Sequence, residues 1–199
     1  MEDNMVKFIR RYKNIKSVIS FEIRAFVKSL ITLIKVKIFP QKYYGAKLDI
    51  GCGLKAQEGF IGVDIHWQVD CPFDLRIGLP FPDNSISFIS TSHTLEHFSY
   101  DELKYILRDW FRVLQCGGKL SISVPYVHTI LKSYSLSKEE FQKSVYYWYA
   151  QELETKLDII NFLFYMQGEH KNSFDEENLK FLLEKTGFCN VVIRKFDKE

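Results

Sequence analysis

Hydrophobic positions divide the chain into segments of different period. Between residues 5 and 39, Phe8, Tyr12, Ile15, Ile19, Ile23, Phe26, Leu30 and Leu33 recur at three- and four-residue steps, which predicts one or two amphipathic helices. From Tyr43 the period changes. Residues 46–53, AKLDIGCG, are a short apolar run ending in Gly-Cys-Gly, the pattern of a buried strand entering a tight turn. GFIGVDI (59–65) reads as a second strand with Asp64 at its end. The turn Pro82-Asp83-Asn84-Ser85 leads into a strand from Ile86 to Ser90. In residues 103–125, Leu103, Ile106, Leu107, Trp110, Phe111, Val113 and Leu114 make the broad apolar face of a helix, Gly117-Gly118 marks its stop, and another strand follows. Residues 126–170 form an aromatic-rich insertion with helical stretches. Ser137 and Glu140 there have the spacing of a capping box. A helix from Asp175 to Thr186, stopped by Gly187, and a strand over 189–196 complete the pattern.

Strands alternating with helices predict an α/β fold: a Rossmann-like, mostly parallel sheet flanked by helices, with a helical N-terminal extension and a helical insertion after the fifth strand. Only Leu54 to Gly59 join the first two strands, fewer residues than a parallel crossover usually needs, so a loop or a single turn is expected in place of the first helix. No further strand is expected after residue 196, which implies either a shortened sheet or an open edge for the N-terminal segment to cover.

Charge adds a boundary. Residues 1–42 hold ten Lys or Arg against three acids, whereas the remainder is net acidic. The expected domains are therefore a basic helical extension over 1–42 and a main domain over 43–199, with 126–170 as its lid or insertion. The extension's most apolar part, Phe26 to Phe39, carries Lys28, Lys35 and Lys37 and is too short and too charged to span a bilayer, and no cleavage pattern marks a secretory signal. Its helix either lies on anionic lipid through residues 5–39 or packs on its own domain or on a twin subunit. No recognition motif points to nucleic acid. The four cysteines, Cys52, Cys71, Cys116 and Cys189, are scattered, as reduced thiols of a cytoplasmic protein would be. A hydrophobic content of 46% excludes disorder over most of the length.

Taken in order, LDIGCG, GVDI, DL…LPFPDNSISFI, SHTLEHF and FRVLQCGGKLSISVP resemble the class I S-adenosylmethionine-dependent methyltransferases, in particular the type 11 group. The resemblance is strongest over residues 46–125 and looser over 168–196. It implies S-adenosyl-L-methionine as cofactor. It also implies that Asp49, Gly51, Cys52 and Gly53 cradle the methionine end, that Asp64 with Ile65 takes the ribose hydroxyls, that Asp74 with Leu75 meets the adenine, and that Ser92 follows the fourth strand beside the sulfonium. The chain departs from the pattern in three places. Lys55 stands where a third glycine is usual, the first crossover is short, and Cys116 replaces the usual proline before Gly-Gly.

Ser92-His93-Thr94-Leu95-Glu96-His97 contains the His-x-x-Glu-His spacing of some zinc sites. That motif requires a helix, and this stretch leaves a strand, so no metal ligand set is assigned. His93 and His97 are the candidate catalytic residues, with His93 placed to take a proton from an acceptor hydroxyl. In the plainer reading His97 bonds backbone and Glu96 caps a helix terminus. His170 is a further candidate for the acceptor side. The function implied is methyl transfer to a small-molecule, glycan- or lipid-related acceptor, at oxygen, in the cytoplasm or peripherally at the inner membrane face. The alternative is a non-catalytic cofactor-binding or protein-interaction module of the same fold.

Overall fold

The computed structural model describes residues 23–24, 26–144 and 153–194. The early part of the basic extension, the aromatic run 146–151 and the end of the last expected strand lie outside the described residues. Contacts divide the described residues into two compact units. The first holds those up to Ser90 and Val113–Ser121, and the second holds Thr91–Arg112 and those from Ile122 onward.

The first unit is built on a five-stranded sheet. β1 (Ala46–Ile50), β2 (Ile61–Asp64), β3 (Cys71–Pro72), β4 (Ile86–Ser92) and β5 (Leu114–Ser123) stand in the order β3-β2-β1-β4-β5. All run parallel, so the sheet has the Rossmann-like architecture expected. Leu48 pairs with Ile61 and Ile50 with Val63; Val63 pairs with Cys71. Leu48, Ile50, Val63, Ile86 and Ile89 are fully buried, as strands covered on both faces must be. No helix joins β1 to β2: residues 51–60 are turns and irregular chain, as the short spacing predicts.

A helix over residues 26–38, α1, belongs to this unit, although the charge break lies at residue 42. Its packing inverts the expected stripe. Phe26, Leu30 and Leu33 are exposed, while Ser29, Thr32 and Val36 are buried. Ser29 Oγ donates to the Pro72 carbonyl at 2.9 Å, and this hydrogen bond anchors the helix beside β3.

The second unit is mainly helical. It contains α2 (Tyr100–Val113) nearly to its end, α3 (Val127–Ser133), α4 (Lys138–Ser144), α5 (Lys156–Tyr165) and α6 (Glu176–Thr186). Leu103, Ile106, Leu107, Trp110 and Val113 of α2 are buried as its period predicts, whereas Phe111 is half-exposed and meets the Phe188 ring edge-on at 5.2 Å. Short polar signals start the helices. The Glu140 N–H donates to Ser137 Oγ while the Ser137 N–H donates to Glu140 Oε2, and Thr155–Asp158 and Asp175–Asn178 form the same reciprocal pair. Gly187 closes α6 at φ 119°, where a Cβ would press on the Phe111 ring.

Two expectations fail. Gly117-Gly118 does not precede the fifth strand: β5 begins at Leu114 and runs through the pair, with Gly117 at φ 74° inside it. Backbone pairing continues across a left-handed residue there because glycine carries no Cβ to oppose it. Residues 189–194 form no strand, and Val192 and Ile193 remain exposed. Their β-branched pattern needs a neighbouring strand to pair with, and pairing context overrides propensity.

Ile130, Phe141, Ile159, Ile160 and Leu163 form the core of the helical insertion. Phe141→Ala is expected to lower stability by about 3–5 kcal/mol, read from the urea unfolding of this unit. A loss below about 1 kcal/mol, the scale of a change away from a packed core, would mean that the ring is not a packing centre.

Candidate functional site

In the first unit the residues singled out from sequence converge at the carboxyl ends of β1 and β2, where open α/β sheets bind ligands. Asp49 is buried in β1 and its Oδ2 accepts the Gln57 N–H at 2.9 Å. The chain then turns through Gly51 (φ 71°) and Gly53 (φ 62°), conformations glycine adopts without steric cost. The Gly51 N–H donates to the Val63 carbonyl at 2.8 Å. The Gly53 N–H donates to Asp64 Oδ2 at 2.9 Å, and Asp64 Oδ1 accepts the His66 N–H at 3.1 Å. Each oxygen of Asp64 thus carries one backbone bond and keeps a second lone pair free for a ligand. A Cβ on Gly53 would meet nothing within 4 Å, so the turn faces open space.

The loop is held close to the sheet. A Cβ on Gly62 would come within 2.9 Å of Ala56 Cβ and 3.0 Å of Cys52 Sγ, and Gln57 Nε2 donates to Ser90 Oγ at 3.0 Å. Burial, with the negative charges of Asp64 and Asp49 beside it, pushes the Cys52 thiol up to about 11. Cys52 is therefore a neutral thiol near pH 7 and adds no charge to the turn. Ile65, half-buried, directly follows Asp64.

Asp74 sits at the start of a 3-10 turn, Leu75–Ile77, and its Oδ1 accepts the Arg76 N–H at 2.9 Å. The Arg76 guanidinium also clasps it, with one nitrogen 2.6 Å from Oδ2. Partial burial pushes its carboxyl up, but the Arg76 hydrogen bonds and charge outweigh that and hold it below the ordinary value. Leu75 is buried beneath.

The second unit holds Ser92, His93, His97 and His170. Ser92 is exposed at the end of β4, and its carbonyl accepts the Thr94 hydroxyl. His93 has a left-handed backbone, φ 52°, uncommon for a residue with a Cβ. Its N–H is tied to the Ser123 carbonyl at 3.0 Å. The side chain is 55% exposed, with Nδ1 3.3 Å from Glu96 Oε1. That carboxylate makes His93 more basic than an ordinary histidine, against a smaller opposing effect of burial.

Glu96 and His97 lie in a 3-10 turn, Leu95–His97. Glu96 does not cap a helix; that part falls to Ser99 and Glu102, whose side chains exchange bonds with each other's backbone N–H at the start of α2. Glu96 is instead 1% exposed, and neither carboxylate oxygen has a hydrogen-bond partner among the described residues. His97 does bond backbone: Nδ1 lies 3.2 Å from the Glu169 carbonyl. Its ring stands edge-on to that of His170, 5.0 Å away. The structure thus joins His97 to His170 and Glu96, a grouping that the sequence names but does not assemble.

Residues 68–122 match the family model described as a methyltransferase domain. The matched segment carries Asp74, Leu75, Ser92, His93, Glu96 and His97; β1 and β2 precede it. No curated protein matches the chain. Among solved structures, a SAM-dependent methyltransferase from Archaeoglobus fulgidus is similar at 22% identity and a TM-score of 0.47, over 86% of this chain and 79% of that one. Phosphoethanolamine N-methyltransferase 2 from Haemonchus contortus, in complex with S-adenosyl-L-methionine, is similar at 17% identity and a TM-score of 0.43, over 80% of this chain and 36% of that one.

Backbone strain at His93 offers a test. His93→Gly relieves a left-handed position but also takes away the imidazole beside the buried Glu96 carboxylate, so a net loss of about 1–3 kcal/mol in urea unfolding is expected. An unchanged or higher stability would show that the backbone strain outweighs the contact with Glu96.

Proposed function

We propose that the chain is a class I S-adenosylmethionine-dependent methyltransferase acting at an oxygen of a small-molecule, glycan- or lipid-related acceptor. One observation carries the cofactor reading. Asp64, at the end of β2, is tied to the glycine turn after β1 and keeps acceptor capacity on both oxygens. A vicinal diol is the ligand group that two adjacent carboxylate acceptors suit, and the open space at Gly53 leaves room for a bound chain.

In this reading Gly51, Cys52 and Gly53 face the methionine end, with Asp49 holding the loop through Gln57. Asp64 with Ile65 takes the ribose hydroxyls. Asp74 and Leu75 border the adenine, Asp74 sharing its carboxylate with Arg76. The cofactor, when bound, supplies an electrophilic methyl group. The protein's part is to orient the acceptor, exclude water and receive a proton. His93 is the proton acceptor in this reading because its imidazole is more than half exposed directly after Ser92 at the end of β4. Ser92 flanks it, and His97 orients the turn through the Glu169 carbonyl.

We further propose that α1 makes peripheral contact with anionic lipid, at the inner face of a cytoplasmic membrane. Phe26, Leu30, Ile34 and Ile38 are exposed on the same helix as Lys28, Lys35 and Lys37, the pairing of apolar and basic groups that an interfacial helix uses. No helix among the described residues is long and apolar enough to cross a membrane.

Two measurements test these readings. In calorimetry, S-adenosylmethionine and S-adenosylhomocysteine should each bind wild type, and Asp64→Ala should raise Kd at least about tenfold. A folded wild type that binds neither ligand would overturn the cofactor reading and leave an interaction module of the same fold. For the membrane, the wild type should float with anionic vesicles at low salt. Reversing Lys28, Lys35 and Lys37 to Glu should abolish flotation, since each lysine near an anionic surface contributes about 1 kcal/mol. Flotation unchanged by the three reversals would dismiss the electrostatic contact.

A further inference from the structure

We propose that Glu96, His97 and His170 form a site for a divalent first-row transition-metal ion with a position left open for an oxygen-donor ligand. Each offers one ligand atom, and these three atoms lie within 4.8 Å of one another. Around a four-coordinate ion, ligand atoms about 2.0–2.2 Å from the metal lie roughly 3.3–3.6 Å apart, so closure takes side-chain adjustments of up to about 1.5 Å. The proposal does not depend on the methyl-transfer reading, and it revises the absence of a metal ligand set expected from sequence.

Glu96 is the first reason. A carboxylate that is 1% exposed with no hydrogen bond on either oxygen is costly unless a cation meets it. His93 Nδ1, 3.3 Å from Oε1, is the only cationic group recorded beside it among the described residues, and its own side chain is more than half exposed. The second reason is the state of the two imidazoles. His97 Nδ1 faces the Glu169 carbonyl at 3.2 Å and His170 Nδ1 faces the Leu163 carbonyl at 2.9 Å. A carbonyl only accepts, so each Nδ1 carries a proton, and in the neutral ring Nε2 is the nitrogen with a lone pair. Metal-binding histidines are set up in this way, one nitrogen donating to a carbonyl and the other free to ligate.

The backbone holds the group together. The Glu96 carbonyl accepts the Lys171 N–H at 2.7 Å and the Asn172 N–H at 3.1 Å, and Asn172 Nδ2 donates to the Phe98 carbonyl. These bonds bind the turn bearing Glu96 and His97 to the segment bearing His170, so the three side chains are preorganised. A cavity of about 10 Å³ borders two of the three, Glu96 and His170, together with Asn172, Ser173 and the apolar Val127, Ile130 and Leu163. That is about the volume of one water.

Two imidazoles and a carboxylate favour zinc, manganese, iron or cobalt over magnesium or calcium, which prefer oxygen alone. Three protein ligands leave a fourth position, where a hydroxyl or water would be polarised.

The test uses the full chain, stripped with a chelator and titrated with Zn²⁺ and Co²⁺ by calorimetry, with metal content measured after dialysis. One equivalent per chain is expected. His97→Ala and His170→Ala should each weaken binding at least a hundredfold, and His128→Ala, a histidine outside the group, should leave it intact. Glu96→Gln keeps the side-chain shape and should lose binding while remaining folded by circular dichroism. Bound Co²⁺ should show a visible absorption band that both histidine variants abolish. If either histidine variant fails to fold, Glu96→Gln and the cobalt spectrum of the wild type decide. Absence of binding by folded wild type, or stoichiometric binding that survives Glu96→Gln or both histidine substitutions, overturns the site.

Discussion

The short connection between β1 and β2 is the constraint on which the first unit turns. Two parallel neighbours are ordinarily joined through a helix, and here residues 51–60 make the passage without one. A chain so short has no helical hydrogen bonds of its own, so its polar groups must be satisfied by what it passes. Asp49 and Asp64 meet that need, one through the Gln57 N–H and the other through the Gly53 N–H. Gly62 allows the loop to lie against β2 where any side chain would push it away. The same two carboxylates that close the connection also furnish the polar surface at the strand ends. Structure and binding capacity share atoms in this unit.

The second unit solves a related problem with main-chain groups. The turn at residues 95–97 is too short to satisfy itself, and the segment from Glu169 to Asn172 supplies the missing partners. The result fixes two histidine rings and a carboxylate in a largely water-free place. Side chains that are expensive to bury persist where their surroundings are over-determined, and the left-handed backbone of His93 has the same explanation.

Much of this was legible in the sequence because it rests on local rules. Gly-Cys-Gly after an apolar run, Asp64 at a strand end, the Ser137–Glu140 box and Gly187 after α6 each declare themselves within a few residues. What resisted reading depends on distant partners. Cys189–Arg194 has a strand's pattern and no strand, because pairing is decided elsewhere. Glu96 looked like a cap because its neighbours in sequence allow it; its burial follows from residues more than seventy positions on. The apolar row of α1 misled for a physical reason as well. Periodicity identifies which positions share a face, and only tertiary contacts decide which face turns inward.

That inversion gives α1 an attachment of unusual character. Beyond Val36, its buried positions among the described residues are hydroxyls, Ser29 and Thr32, and Ser29 donates a hydrogen bond to the Pro72 carbonyl of β3. Detaching the helix uncovers those hydroxyls along with Val36, and polar surface lowers the heat capacity of an unfolding step where apolar surface raises it. The strands, whose buried positions are aliphatic, lose grip on cooling as the hydrophobic driving force fades, whereas the Ser29–Pro72 bond gives α1 a hold that depends less on that force. The ratio of the two holds therefore changes between the cold and the warm end of the protein's working range.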